Sequence, residues 1–165
     1  MLYLKKLSPT GSMEIYRMLQ EIQCNDNGFH NKVCGMTYNE FQQWLAKEHA
    51  RDSGNLEDWM VPQSSYWLME DEFPIGYGRI RHHLNDKLRE SSGHIGYAIR
   101  KTERGNGYGN KILKLLLAEC AQLGLAEVQV CANSDNLLSN KVIIANGGLL
   151  IRQTDGRNFY RIPIR

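Results

Sequence analysis

Much that would mark a specialised chain is missing from these 165 residues. Prolines number only 4 and the 15 glycines follow no period, which excludes collagen-like and proline-rich architectures. No run approaches the ~18 uninterrupted apolar residues of a membrane span. The opening Met1-Leu2-Tyr3-Leu4-Lys5-Lys6 lacks the apolar stretch of a secretion signal. A basic excess is missing as well: 20 Lys and Arg against 18 Asp and Glu leave a formal charge of +2, short of what phosphate-dominated nucleic-acid binding requires. Cysteines are few. Cys24, Cys34, Cys120 and Cys131 form no C-x-x-C pair and have no histidine at zinc-finger spacing, so neither a redox motif nor a metal site is signalled. All four are therefore expected to be reduced thiols. These absences together predict a cytoplasmic protein with no nucleic-acid or membrane partner and no metal.

What remains is a chain with 42% hydrophobic and 23% charged residues, expected to form one domain over residues 1–165. At this length a domain buries roughly 70% of the surface its unfolded chain exposes. Leu2, Leu4 and Leu7 begin an alternating strand, and Ser8-Pro9-Thr10-Gly11-Ser12 breaks it and can cap a helix. Ile15, Met18, Leu19 and Ile22 then fall at helical spacing, as do Phe41, Trp44 and Leu45, with Cys24–Met36 as connector. Three β-like runs follow at Tyr66–Met69, Ile75–Arg81 and His94–Arg100, with a charged loop over Leu84–Gly93. Tyr108–Leu123 carries Ile112, Leu115, Leu116 and Cys120 on one helical face, with Gly124 where a C-terminal cap belongs. Val128 and Val130 mark a further strand, Leu137–Ala145 a helix, and two final strands flank the hairpin signal Asp155-Gly156.

Chemistry concentrates where the third run gives way to a helix: Gly96-Tyr97-Ala98-Ile99-Arg100-Lys101-Thr102-Glu103-Arg104-Gly105-Asn106-Gly107-Tyr108-Gly109-Asn110. Unpaired amides at a helix N-terminus, joined by those of a curled glycine turn, carry partial positive charge and suit a pyrophosphate. Glycines at 105, 107 and 109 let the backbone approach the phosphate, while Lys101, Arg104, Lys111 and Lys114 can add charge around it. A P-loop is excluded, since Asn110-Lys111-Ile112 follows Gly109 without the required hydroxyl. A dinucleotide G-x-G-x-x-G fails too: the required third glycine is Asn110 in one frame and Ile112 in the other.

The pattern Arg104-x-x-Gly107-x-Gly109 between a strand and a helix resembles the coenzyme-A pyrophosphate loop of the GNAT superfamily of acyl-CoA-dependent N-acyltransferases. The order of elements resembles that superfamily over nearly the whole chain, and Asn136, Ser139 and Gly147 look like its second signature. The resemblance implies a mixed α/β (α+β) fold. It has a mostly antiparallel central sheet, helices on both faces, and a parallel strand pair that splays to admit the pantetheine. It implies acetyl-CoA as cosubstrate, bound by Ile99, Arg100, Lys101, Arg104, Gly105, Asn106, Gly107, Tyr108, Gly109, Asn110, Asn136 and Ser139. An amide near Ile99 would stabilise the oxyanion while a neutral primary amine attacks directly. The family's tyrosine, which protonates the leaving thiolate, is replaced here by Ile143. That substitution keeps a noncatalytic acyl-CoA-binding module in view beside an N-acetyltransferase.

Candidate acid–base groups are His94, whose ordinary pKa near 6.5 suits proton transfer, and Tyr97. Alternation puts His94 on one face with Gly96 and Ala98, and Tyr97 on the other with Ile95 and Ile99. Tyr160 is a third candidate, and Arg81-His82-His83 either lines an acceptor pocket or forms a solvated turn. Asn136 reads equally as pantetheine ligand or helix cap, with Ser134 and Asp135 able to cap in its place. Trp44, Trp59 and Trp67 read as core or lid packing, and Cys131 as a small core residue. The acceptor class stays open between a small amine and a peptide N-terminus, and the final hairpin is a candidate homodimer surface.

Overall fold

The computed structural model describes all residues, Met1–Arg165. Nine strands and five helices follow in the order β1 (Leu2–Lys6), α1 (Met13–Gln20), β2 (Asn25–Asp26), β3 (Phe29–His30), α2 (Tyr38–Asp52), β4 (Gln63–Glu70), β5 (Phe73–Arg81), α3 (Asp86–Ser91), β6 (Ile95–Ile99), α4 (Tyr108–Gln122), β7 (Glu127–Asn133), α5 (Leu137–Ala145), β8 (Leu149–Thr154) and β9 (Arg157–Pro163). All pairings are antiparallel. One sheet runs β1-β4-β5-β6, a second β7-β9-β8, and β2-β3 form a separate small hairpin.

Alternation along β4 explains why there are two cores. Tyr66 and Leu68 point to one side, where Ile112, Leu113, Leu116 and Cys120 of α4 and Ile143 of α5 cover the sheet. Trp67 and Met69 point to the other, onto Ile15, Met18 and Leu19 of α1 and Phe41 and Leu45 of α2. A strand covered on both faces is buried on both, and Ser64–Met69 are all buried, with the apolar run Tyr66–Met69 facing the two cores by turns. Local caps start the helices as their sequences require. Ser12 accepts the Ile15 amide, and Thr37 and Glu40 form a reciprocal capping box.

Two expectations need correction, and one helix runs beyond its apolar positions. The Leu84–Gly93 segment is not simply a loop: Asn85 accepts the Leu88 amide and starts the short helix α3. Helix α2 continues through the polar Lys47–Asp52, because its polar groups meet the start of β4: Gln63 donates to Glu48 and Asp52, and Asp52 also accepts the Ser65 amide. The Cys24–Met36 connector holds the β2-β3 hairpin, which brings Cys24 and Cys34 to a Cα separation of 5.1 Å, and their sulfurs form a disulfide. Two cysteines are thus oxidised rather than four reduced. Only Cys120 and Cys131 carry free thiols, so the expected compartment loses its support from cysteine chemistry. No helix is long and apolar enough to cross a membrane.

Candidate functional site

The two larger sheets meet at a single staple. His94 donates its backbone N–H to the Gln129 carbonyl at 2.7 Å, and its ring Nδ1 accepts the Gln129 N–H at 2.9 Å. Beyond this point β6 and β7 share no ladder. They leave the staple in the same sense, since the turns after both strands, around Gly105 and around Asn136, line one cavity. The Arg100 amide donates to Ile75 of β5. By the two-residue alternation of antiparallel pairs, the amides of Ile99 and Tyr97 point the other way, into the gap toward β7.

At the far end of that gap stands the head of α4. Gly105 (φ +84°) and Gly107 (φ +78°) take the left-handed conformation, and Gly107 is the helix cap, with no side-chain oxygen to satisfy the first amides. The chain tightens into a 3-10 turn over Lys101–Glu103, closed by Glu103 and Arg104 amides donating to the Arg100 and Lys101 carbonyls. After that no amide from Gly105 to Asn110 donates to any protein acceptor; the first helical bond comes from Lys111 to the Gly107 carbonyl at 3.3 Å. Six consecutive N–H groups are therefore available to a ligand at the positive end of a 15-residue helix.

The cavity between these parts has a volume of about 570 Å³. Of the residues expected to bind cofactor, Ile99, Arg104, Gly105, Gly107, Tyr108, Gly109, Asn110, Asn136 and Ser139 line it, whereas Arg100, Lys101 and Asn106 do not. Arg100 turns toward α1, where it is paired with Glu21 and donates to the Pro74 carbonyl at 3.0 Å beneath the Phe73 ring. The Arg104 guanidinium is also engaged by the fold: it donates to the Ile99 carbonyl at 2.9 Å and to Asp26 at 3.1 Å. It ties the glycine turn to β2 and still lines the cavity, with Nη1 making no hydrogen bond within the fold. Asn136 caps α5 by accepting the Ser139 amide at 3.2 Å, and it lines the cavity as well, so both readings of it describe its position.

The acid–base candidates separate clearly. His94 lies outside the cavity lining, with Nδ1 occupied and its pKa held below the ordinary value by burial and then by the charge of Arg89. This placement does not fit a general base; the histidine pins the two sheets together. Tyr97 lines the cavity, packs with Ile95 and Ile99 against the α4 side, and has a buried hydroxyl with no hydrogen-bond partner. Burial pushes its phenol up, an effect only partly offset by neighbouring Ser139. Tyr160 is buried away from the cavity and donates to Asn140 at 2.6 Å. Of the basic trio, Arg81 lines the cavity, His82 is 2.8 Å from Ser64 Oγ, and His83 is exposed. Trp67 is core, Trp44 packs beside it, and Trp59 is exposed. Cys131 is a wall residue of the cavity rather than core, its thiol pushed up by burial.

The acetyltransferase (GNAT) domain family matches residues 2–148. This chain belongs to that family. No curated protein matches it in sequence. Among solved structures, RimL, a ribosomal alpha-N-protein acetyltransferase in complex with coenzyme A, superposes with TM-score 0.74 at 14% identity, covering 99% of this chain and 94% of its own. MccE, a microcin C7 self-immunity acetyltransferase in complex with acetyl-CoA and AMP, gives 0.72 at 13%, covering 99% and 92%. The Campylobacter jejuni N-acetyltransferase PseH in complex with acetyl-CoA gives 0.67 at 12%, covering 100% of both. At such identities the likeness is one of fold, and it spans the whole acetyltransferase. The mixed α/β fold and the helices on both faces are those the sequence led us to expect, whereas every strand pairing is antiparallel and the expected continuous mixed sheet is divided into two where β6 and β7 part.

Proposed function

We propose that this acetyltransferase moves an acetyl group from acetyl-CoA directly to a primary amine. The observation that carries the reading is the row of amides from Gly105 to Asn110 that lack a protein acceptor, on a turn whose residues, Asn106 excepted, line the cavity between β6 and β7. These amides would hold the diphosphate. The Tyr97 and Ile99 amides would pair with the pantetheine along the gap, and one of them would hold the thioester oxygen as it becomes an oxyanion. The amine nitrogen forms its bond to the carbonyl carbon and sheds a proton to water; the carbon–sulfur bond then breaks. Tyr97, whose neutral phenol makes no hydrogen bond within the fold, supplies the proton to the departing thiolate and regains one from water, in place of the family's tyrosine, which here is the fully buried Ile143.

Calorimetry with acetyl-CoA tests the first part, with micromolar binding expected and no heat at high micromolar ligand overturning it. A second reading, a noncatalytic acyl-CoA-binding module, is favoured by Ile143 alone. Release of free thiol from acetyl-CoA with any member of a panel of amines eliminates it.

A further inference from the structure

We propose that the amine acceptor carries an anionic group, a carboxylate or a phosphate, and that Arg79, Arg81 and Arg157 hold it on the side of the cavity away from α4. This rests on the acetyl-transfer reading above and extends it to the acceptor. Arg81 stands opposite His94 and Arg79 opposite Gly96, so both lie at the end of the gap remote from the α4 turn. Alternation sends Arg79 and Arg81 to the face of β5 that Tyr77 shares, away from α4. On β7, Val128, Val130 and Ala132 take the α4 face, so Cys131 and Asn133 look toward the same region as the arginines, and Arg157 lies directly across from Asn133. All three arginines line the one cavity.

None of the three has a carboxylate within ion-pair distance. The acids on the cavity wall are Asp26, already paired with Arg104, and Glu103, which belongs to the turn before α4. Each guanidinium has five N–H donors. Arg81 uses one nitrogen, donating to Ser92 Oγ at 2.8 Å and the Gly93 carbonyl at 2.9 Å. Arg157 donates to the Ser91 carbonyl from one nitrogen, and Arg79 makes no hydrogen bond, its Cζ 5.3 Å above the Phe29 ring. The fold therefore gathers positive charge in a partly desolvated place and leaves most of its donors unused. Burial, and then the charge of Arg79, push Arg81 down to about 10, which still leaves it protonated at neutral pH. Such an arrangement is unfavourable alone and is relieved by an anion, for which guanidinium forks are well shaped. Arg152, by contrast, is engaged with the Arg89 and Glu90 carbonyls at the end of α3.

The test uses matched acceptors that differ in the anion: phosphoethanolamine against ethanolamine for phosphate, and glycylglycine against glycylglycinamide for carboxylate. Thiol release from acetyl-CoA is read for kinetics, and calorimetry on the coenzyme-A-saturated protein for affinity, with each acceptor. One anionic member is expected to exceed its neutral partner by about 100-fold in kcat/KM or affinity, the scale of a pair of charge-assisted hydrogen bonds. Arg79→Gln, which removes no contact that the fold uses for hydrogen bonding, should shrink that preference about tenfold, with Arg79→Lys retaining more of it and acetyl-CoA affinity unchanged. If acetyl-CoA binds and neither pair differs in either readout, the anionic acceptor is refuted while the acetyl-CoA reading stands. If acetyl-CoA does not bind, both fall.

Discussion

Gly109→Ala separates a ligand-binding turn from a structural connector, because both predict a more stable free protein and only the first predicts weaker binding. Gly109 is the second residue of α4 and has ordinary helical backbone geometry, so a side chain imposes no strain. An added Cβ would lie 3.9 Å from Tyr97 Cε2 and 4.0 Å from Val142 Cγ2, ordinary contact distances. Alanine in place of glycine in a helix is worth about 0.5–1 kcal/mol. For a chain of this size that raises Tm by about 1–4 °C. The methyl group, however, enters the cavity that Tyr97 and Val142 line, at the place where the amides are meant to meet the diphosphate. With ligand at about 100 times Kd, the wild type gains about 2.7 kcal/mol from binding; a tenfold loss of affinity cuts this to about 1.4 kcal/mol. Thermal melts with and without acetyl-CoA should show the free variant melting higher and its ligand-induced shift roughly halved. A variant that melts higher and keeps the full shift would refute the assignment of this turn to the diphosphate.

Other outcomes follow from the same geometry. Tyr97→Phe removes a buried hydroxyl without a partner, so Tm should hold or rise, with relief of about 1 kcal/mol, while kcat falls about a hundredfold and acetyl-CoA affinity stays level. Unchanged turnover would remove Tyr97 as proton donor. Reduction of Cys24–Cys34, separated by 10 residues, should cost about 2–3 kcal/mol and lower Tm by about 5–10 °C in melts with dithiothreitol; an unmoved Tm would contradict a closed bridge. Burial holds folded His94 below the unfolded value near 6.5, so the unfolded chain binds a proton that the folded chain resists. Its stabilising contribution is complete above about pH 6.5 and declines as pH falls from there toward the folded pKa. His82, lowered by burial too, adds a slope of the same sign. His94→Gln should flatten the stability–pH curve in that window without abolishing its slope, and an unaltered curve would show that His94 is not buried as described.

The elements and the glycine turn were legible because they depend on neighbours in sequence. Apolar spacing placed α1, α4, β4 and β7, and Asp155-Gly156 formed the expected tight turn with both residues at positive φ. Even the faces of β6 followed from alternation, with Tyr97, Ile95 and Ile99 on the α4 side. Side chains whose partners lie far along the chain could not be fully read. Arg104 lines the cavity as expected but is also tied to Asp26, 78 residues away, while Arg100, expected beside the cofactor, lies outside the cavity and meets Glu21 at a separation of 79. His94 had a suitable ordinary pKa for a base, but nothing near it in sequence announced Gln129. The Cys24–Cys34 pairing was missed because C-x-x-C spacing was sought, while a short hairpin joined cysteines 10 apart. Arg79 gave no signal, since a single arginine on a strand has no meaning until Arg81 and Arg157 share its cavity.

The chain's own order of residues was enough to decide that a strand ends near Ile99, that glycines at 105 and 107 turn it, and that a helix then starts without a capping side chain. Those are matters of backbone sterics and of which amides lack a carbonyl four residues back. Folding in three dimensions decided which groups face the resulting gap. The His94–Gln129 staple holds β6 and β7 together at one end only, Asp26 ties Arg104 and the turn to β2, and three arginines from two sheets line the cavity where no acid pairs with them. Such choices are made by contacts and charges between residues distant in sequence, whose energies exist only once the sheets have met.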